Sequence, residues 1–422
     1  MPLSFRGALW VVLLLLAARP SPAQSRVETT TLMDDVRFLS SDRLSGRMIG
    51  TPGADRAAAY LVRRLTESGL QAAPRGWYQS FPVAREALGP DASPGPVIGK
   101  NIIGILPGRD PALRNQIVIV GAHYDHLGTG EFGSLDPDSA GRIHNGADDN
   151  ASGVAALIHI AAELALAPPA RSVVFVGFSG EEEGLLGSAY YLRSPIFPLS
   201  TVYAMVNLDM VGRLRDNRLL VLGTGTAREF PALLDSLNGG TRFDLRKQGD
   251  GYGPSDQSSF FAAGRPVLHL FTDLHEDYHR TTDDWEKINV VGLNRVAWFA
   301  TGLVRALANR LAPLTFVNLP PPPVLRATAT TPGFGAYLGA IPDPTERQGG
   351  LRLSGVRPGS PADSAGLRAG DLITAIDGTD VTDPQALTNA LRRRRPGDVV
   401  EIRILRNGME RRVQATLAAR ES

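Results

Sequence analysis

Six short runs of this chain are apolar almost from end to end, and that continuity limits its fold more than any other feature. They are residues 101–106, 117–122, 173–178, 204–208, 219–222 and 266–271. A strand with one face in water alternates apolar and polar residues. Runs without alternation need cover on both faces, as in a sheet sandwiched by helices. Helical patterns do fall between them, at 55–68, 151–166, 184–192, 228–237 and 285–311. Strand-helix alternation predicts an α/β fold with a mostly parallel, mixed sheet and right-handed crossovers.

The chain of 422 residues exceeds what this layer needs. Asn318-Leu319 is followed by four prolines, Pro320 to Pro323, which favour an extended spacer. Beyond about residue 335 the pattern changes to short strands, glycine turns and one helix, a small α+β domain. The expected division is a leader at 1–23, a large domain at 24–315, a proline-rich linker at 316–334 and a small domain at 335–422. The leader reads as a secretory signal: Arg6, an apolar stretch from Ala8 to Ala18, and Ser21-Pro22-Ala23 before the cut. Eleven apolar residues are too few to span a bilayer, which takes about 20. Export to the periplasm or outside is therefore expected, with no transmembrane segment after cleavage. Cysteine is absent, which excludes disulfides and thiol catalysis. The formal net charge of +1 gives no pull toward nucleic acid.

The chemistry gathers where the apolar runs end. Residues 117–122 lead into His123-Tyr124-Asp125, which puts His123 at the carboxyl end of a buried strand, where ligands bind in open α/β sheets. Asp125 is placed to orient His123 and raise its basicity. Asp149 lies in a Gly146-to-Gly153 turn ahead of a helical pattern, where Asp, Asn and Ser are also ordinary helix caps. Glu181-Glu182-Glu183 follow the run 173–178; one or two acids suit a helix start, but three in a glycine-rich turn suit a metal ligand beside a free base. Asp209 ends another apolar segment, and a buried carboxylate is costly unless paired or metal-bound. His279 completes a set of five: His123, Asp149, Glu182, Asp209 and His279. Such a set serves two divalent cations, with two ligands for each and one shared carboxylate. Two dications, three carboxylates and one hydroxide sum to zero, which suits a partly dry cleft.

His275-Glu276-Asp277-Tyr278-His279 also matches His-Glu-x-x-His, a zinc signature that needs a helix. Here the segment follows a strand, and Asp283 with Glu286 reads as a capping box for a helix that starts later. The match is therefore set aside, with His275 expected to be structural or pocket-lining. His126, His144, His159 and His269 are expected to be satisfied polar or core residues.

The phrases GAHYDHLG, NGADDNASG, FSGEEEGLLGS, NLDMVG and DYHRTTD, in that order, resemble the co-catalytic zinc aminopeptidase family, which also holds glutaminyl cyclase, glutamate carboxypeptidase II and the transferrin-receptor ectodomain. The resemblance covers roughly residues 30 to 312 and implies a zinc-exopeptidase fold with two Zn2+. It implies His123 and Asp209 on one ion, Glu182 and His279 on the other, and Asp149 between them. It further implies Glu181 as general base and Tyr278 as a hydrogen-bond donor to the oxyanion. In Ser255-to-Phe260, Gln257 stands where a histidine often stands, which bears on substrate preference.

The small domain resembles a bacterial PDZ domain, through residues 350–356 and 360–373 and the Ile376-Asp377-Gly378 turn. The resemblance implies Tyr337, Leu338, Gly339 and Ala340 as a carboxylate-binding loop beside a helix at 384–394, with a protein C-terminus as partner. Arg392 to Arg395 is expected to be a solvated helix end. The leading expectation is an exported aminopeptidase that acts on peptide or protein N-termini. Glutaminyl cyclisation or C-terminal cleavage on the same fold is the alternative. A dead binding protein is a third possibility, disfavoured because no ligand is lost.

Overall fold

In the computed structural model, described residues are 22–84, 96–130, 133–135, 139, 141–253, 255–319, 336–342, 350–356, 359–381, 386–387, 390–391, 394 and 396–419. Most of the leader, and the linker from residue 320 on, lie outside them. Among the described residues no helix is long and apolar enough to cross a membrane.

The large domain is built on one nine-stranded sheet, ordered β1-β3-β5-β4-β6-β9-β7-β8, with β2 paired to β3. The strands are β1 (Gln71–Ala72), β2 (Tyr78–Val83), β3 (Val97–Leu106), β4 (Ile117–His123), β5 (Ser172–Phe178), β6 (Val202–Leu208), β7 (Arg218–Leu222), β8 (Asp244–Lys247) and β9 (Val267–Phe271). The centre, β5-β4-β6-β9, is parallel throughout. Both β4 and β5 are buried at every residue, as their unbroken apolar sequences require. The flanks supply the antiparallel part of the expected mixed sheet: β3 runs antiparallel to β5, and β7 antiparallel to β9.

Helices cover both faces: α1 (Pro22–Leu39), α2 (Pro52–Glu67), α3 (Gly153–Ala165), α4 (Leu186–Arg193), α5 (Phe230–Thr241), α6 (Gln257–Ala262) and α7 (Val290–Asn309). α3 and α7 carry much of one core, with Leu157, Ile160, Leu293, Phe299 and Leu303 buried against Val118, Val120 and Val206 of the sheet. The opposite face buries Ile119, Val174, Phe178, Tyr191 and Phe260. α1 was not expected from sequence, although Leu32, Met33, Val36 and Leu39 form a helical stripe that is fully buried.

Two boundaries are corrected. The last helix does not begin at Trp285. A short 3-10 turn spans Trp285–Lys287, and α7 starts after Asn289, whose side chain accepts from the Gly292 N–H at 2.9 Å. The linker also begins later than residue 316. Phe316 pairs with Ala227, the Val317 N–H donates to the Thr226 carbonyl, and Phe316 and Leu319 pack on the large domain's core.

The small domain has a six-stranded antiparallel sheet of β11 (Ala340–Pro342), β12 (Leu351–Val356), β13 (Leu372–Ile376), β14 (Thr379–Asp380), β15 (Val399–Arg406) and β16 (Met409–Thr416), a separate antiparallel pair of β10 (Ala336–Tyr337) and β17 (Ala418–Ala419), a short helix α8 (Pro361–Ser364), and helical residues at 386–387 and 390–391. It has its own core, including Leu338, Leu353, Leu367, Ile376, Val400 and Ile402.

Candidate metal centre

The five sequence-marked ligands meet at the carboxyl edge of the parallel strands. β4 lies between β5 and β6, so the chain leaves β4 toward one side and later returns to the other. Such a reversal opens a crevice at the strand ends. His123 is the last residue of β4, and Asp209 immediately follows β6. Glu182 lies in the turn after β5, Asp149 in the turn before α3, and His279 in the loop between β9 and α7.

The geometry centres on Asp149. Its Oδ1 is 3.2 Å from Nε2 of His123, which is also 3.3 Å from Oδ1 of Asp209. Its Oδ2 is 3.3 Å from Nε2 of His279, which is also 3.1 Å from Oε2 of Glu182. One carboxylate thus faces two histidine-carboxylate pairs, one with each oxygen. Donors around a tetrahedral zinc, at about 2.0–2.2 Å from the ion, lie about 3.3–3.6 Å apart. The residues present fit such a metal in donor type and spacing, and all five are almost wholly buried or nearly so.

Electrostatics agrees. Burial alone would lower the two imidazoles. Carboxylates overcome it, holding His123 well above its usual range and pushing His279 up to about 10. Asp149 and Glu182 sit below the ordinary carboxylate range, against burial, because the histidines face them. Carboxylates packed this close call for compensating positive charge, which a bound dication would supply.

Glu181 is different. Burial raises it well above its usual range, with Glu182, Asp209 and Asp256 adding to the rise and His123 opposing it. It lies against His123 and Glu182, with donor atoms of all three within 4.8 Å of one another. A carboxyl that is held back from ionising beside a metal-type cluster is suited to move a proton.

Other expected residues fall less simply. Asp125 Oδ1 is 3.8 Å from Nδ1 of His123, beyond a hydrogen bond, and neither atom has another partner. Its Oδ2 instead accepts from the Glu182 N–H at 3.3 Å, tying the β4 end to the acidic turn. The Tyr278 ring stacks on His279, with centroids 3.9 Å apart, beside Met210, Leu220 and Phe271. Residues 275–279 are not helical, and His275 turns away to Oδ2 of Asp148 at 3.1 Å, so the zincin-like spacing is incidental. Asp283 is not a helix cap: its Oδ2 accepts the backbone N–H groups of Asp148 and Asp149. Gln257 is buried and takes a hydrogen bond from Asn207 Nδ2 at 3.2 Å. In the small domain, Leu338 and Gly339 form the turn between β10 and β11, and the Leu338 carbonyl accepts from the Ala362 N–H. The groove helix at 384–394 falls partly outside the described residues. Arg394, at its end, pairs with Asp377 at 2.7 Å.

Sequence reasoning missed two supports. His126, expected to be a core residue, places Nδ1 2.8 Å from Oε1 of Glu182 and packs edge-on to His279. The three-residue interval from His123 was the available signal. Arg47 is fully buried and binds the carbonyls of Leu39, Tyr124, Asn145 and Gly146. Burial pulls it down to about 10, and Asp149, Asp125, Asp283 and Glu182 hold it charged. Nothing local marks that arginine. Asn150, the neighbour of Asp149, accepts from the N–H groups of Gly153 and Met210 and donates to the Leu208 carbonyl, which pins the turn to the end of β6. Gly146, at φ +57°, must lack a side chain: a Cβ there would sit 2.1 Å from the Asp149 carbonyl oxygen.

Fold and centre together define a zinc-exopeptidase-type α/β domain with a shared-carboxylate ligand cluster. Residues 101–304 match the model of peptidase family M28, and residues 336–417 match that of a PDZ domain. It is 30% identical over 176 residues to an aminopeptidase of Pseudomonas aeruginosa, covering 37% of this chain and 28% of that one. It is 29% identical over 193 residues to leupeptin-inactivating enzyme 1 of Streptomyces exfoliatus, covering 45% and 39%. The chain thus spans less than half the length of the curated relatives it matches. In fold it is similar to the aminopeptidase of Aneurinibacillus sp. strain AM-1, with TM-score 0.53, 18% identity, and 69% of this chain and 96% of that chain covered. It is equally similar to a glutaminyl cyclase of Bacteroides thetaiotaomicron, with TM-score 0.54, 17% identity, and 66% and 97% covered.

Proposed function

We propose that the chain is an exported zinc-dependent aminopeptidase that holds two Zn2+ and removes N-terminal residues from peptides or proteins. One observation carries the two-ion reading: the oxygens of Asp149 face separate histidine-carboxylate pairs, His123 with Asp209 and His279 with Glu182. Bound zinc would supply Lewis-acid polarisation of the scissile carbonyl and a water acidified toward a pKa of about 7.

The remaining steps belong to side chains. Glu181 takes the proton of the attacking water on its carboxylate and delivers it to the leaving amine. Its burial favours the protonated form that the second step needs. Tyr278, stacked on His279, donates its hydroxyl to the oxyanion. Asp125 holds the acidic turn through the Glu182 N–H, which keeps Glu181 in place. The loop Tyr337, Leu338, Gly339 and Ala340 of the PDZ domain receives a protein C-terminal carboxylate.

The test compares one peptide with a free N-terminus and its N-acetylated twin, with zinc present. Only the free form is expected to be cleaved, and chelation is expected to abolish cleavage. Equal rates on the twins would remove the aminopeptidase reading and leave a metallopeptidase. One tightly bound zinc per chain, with cyclisation of an N-terminal glutamine, would favour the cyclase reading.

A further inference from the structure

The loop from β9 to α7 carries His279, and four residues later it carries Asp283, which is wholly buried. Oδ2 of Asp283 accepts from the backbone N–H of Asp148 at 2.9 Å and of Asp149 at 3.0 Å. Its carbonyl accepts from the Ala147 N–H at 2.9 Å, and Oδ1 of Asp284 accepts from Nδ2 of Asn145 at 3.0 Å. Four hydrogen bonds therefore dock residues 283–284 along residues 145–149.

The docking loop is itself anchored. The Asp277 carboxylate binds Arg213 Nη2 at 3.0 Å, the Thr282 hydroxyl at 2.6 Å and the Lys287 ammonium. His275, on the same loop, meets Asp148 from the side-chain direction. Asp149 has φ −103° and ψ 92°, outside helical values, so no regular hydrogen-bond ladder fixes its side chain. Its carboxylate meets His123 and His279, and the backbone that aims it is held by the peptide N–H groups at 148 and 149, which both donate to a single Asp283 carboxylate oxygen. An ionised acceptor makes such bonds roughly twice as strong as a neutral one. α7 does not need Asp283, because Asn289 caps it; Asp283 instead meets the first N–H groups of the turn Ala147–Ser152 that leads into α3.

We propose that Asp283 is a positioning residue that aims the Asp149 carboxylate between its two histidine partners, coupling the loop of His279 to the turn of Asp149, so that metal affinity depends on it. The inference rests on Asp149 being a metal ligand, as read above. It differs from a stability role in what it controls: the direction of one ligand, rather than the folding of a helix.

The experiment measures zinc affinity of the full-length chain by competition with a chromophoric chelator, beside thermal unfolding of the metal-free protein. Asp283→Ala is expected to weaken zinc binding by about 10- to 100-fold, the usual effect of losing a partner behind a ligand. Its metal-free unfolding curve is expected to stay cooperative. Asp283→Asn keeps an acceptor oxygen without the charge and should lose less, about threefold or more. That isosteric variant carries the comparison if the alanine variant does not fold. Wild-type zinc affinity in the folded variants overturns the proposal, whatever happens to turnover. A wild-type chain that binds one zinc would sink the two-ion reading yet leave this comparison intact, since Asp149 lies between both pairs.

Discussion

At the scale of single residues, the centre is a set of individually costly side chains that are tolerable only together. Glu181 is the clearest case, because burial among acids holds it well above its usual range even with His123 against it. Glu181→Gln is expected to leave zinc content unchanged while turnover falls by about 10²- to 10⁴-fold, the range for losing a general base. Metal analysis beside kinetics checks this; lost metal would mean that Glu181 and Glu182 have exchanged roles. His159 supplies a different prediction. It lies on α3, edge-on to Trp298 at 5.1 Å, and burial lowers it to about 4. The unfolded chain titrates near 6.5, so below that pH it binds a proton that the folded chain refuses. Stability is lost as pH falls from about 6.5 to 4, by roughly 3 kcal/mol at the limit. His159→Phe should flatten that part of the curve and leave the pH dependence above 7 unchanged. Urea denaturation of metal-free protein at pH 8, 5.5 and 4.5 would show it, and identical slopes for both proteins would refute it.

At the scale of elements, the legible parts were those whose information is local. Residues 117–122 and 173–178 declared buried parallel strands because nothing in them alternates, and β4 and β5 are buried throughout. The strand ends then declared His123 and Asp209. What stayed hidden depends on distant chain. β3 joins β4 through a connection that contains no helix, so it cannot continue the parallel pattern and pairs antiparallel with β5 instead. Asp283 looked like a cap because Glu286 stands three residues on, but its partners are more than 130 positions away. Arg47 is hidden for the same reason, and it yields a prediction about elements. Its guanidinium joins the end of α1, the residue after β4 and the turn before Asp149 through four carbonyls. Arg47→Met takes this donor from the buried Leu39, Tyr124 and Asn145 carbonyls, each loss costing about 1–3 kcal/mol if no water replaces it, while the Gly146 carbonyl keeps the Ala151 N–H. The expected net loss is about 3–5 kcal/mol in chemical denaturation of the metal-free protein. A loss below about 1 kcal/mol, the scale of an exposed ion pair, would mean that these segments hold together without it.

At the scale of the molecule, the question is where the large domain ends. The proline run suggested a spacer from residue 316, yet the chain stays on the large domain through Leu319. Thr315 binds Glu229 through its N–H and hydroxyl, Val317 donates to Thr226, and the Phe316 ring lies 5.9 Å from that of Phe261. The PDZ core, including Leu353, Ile376 and Ile402, shares no residue with the cores of the large domain. Two truncations separate these statements. A chain that ends at Leu319 keeps every segment that builds the metal centre, and is expected to keep wild-type zinc content and wild-type turnover of a small substrate with a free N-terminus. A chain that ends at Leu314 loses the pairing at Ala227 and the packing of Phe316 and Leu319 on Phe261 and its neighbours. It should be less stable by roughly 2 kcal/mol or more, about the worth of one large apolar side chain. Denaturation midpoints of the two truncations give the comparison. Equal midpoints would return the boundary to residue 315. Lost zinc in the Leu319 chain would instead mean that the centre depends on the PDZ domain.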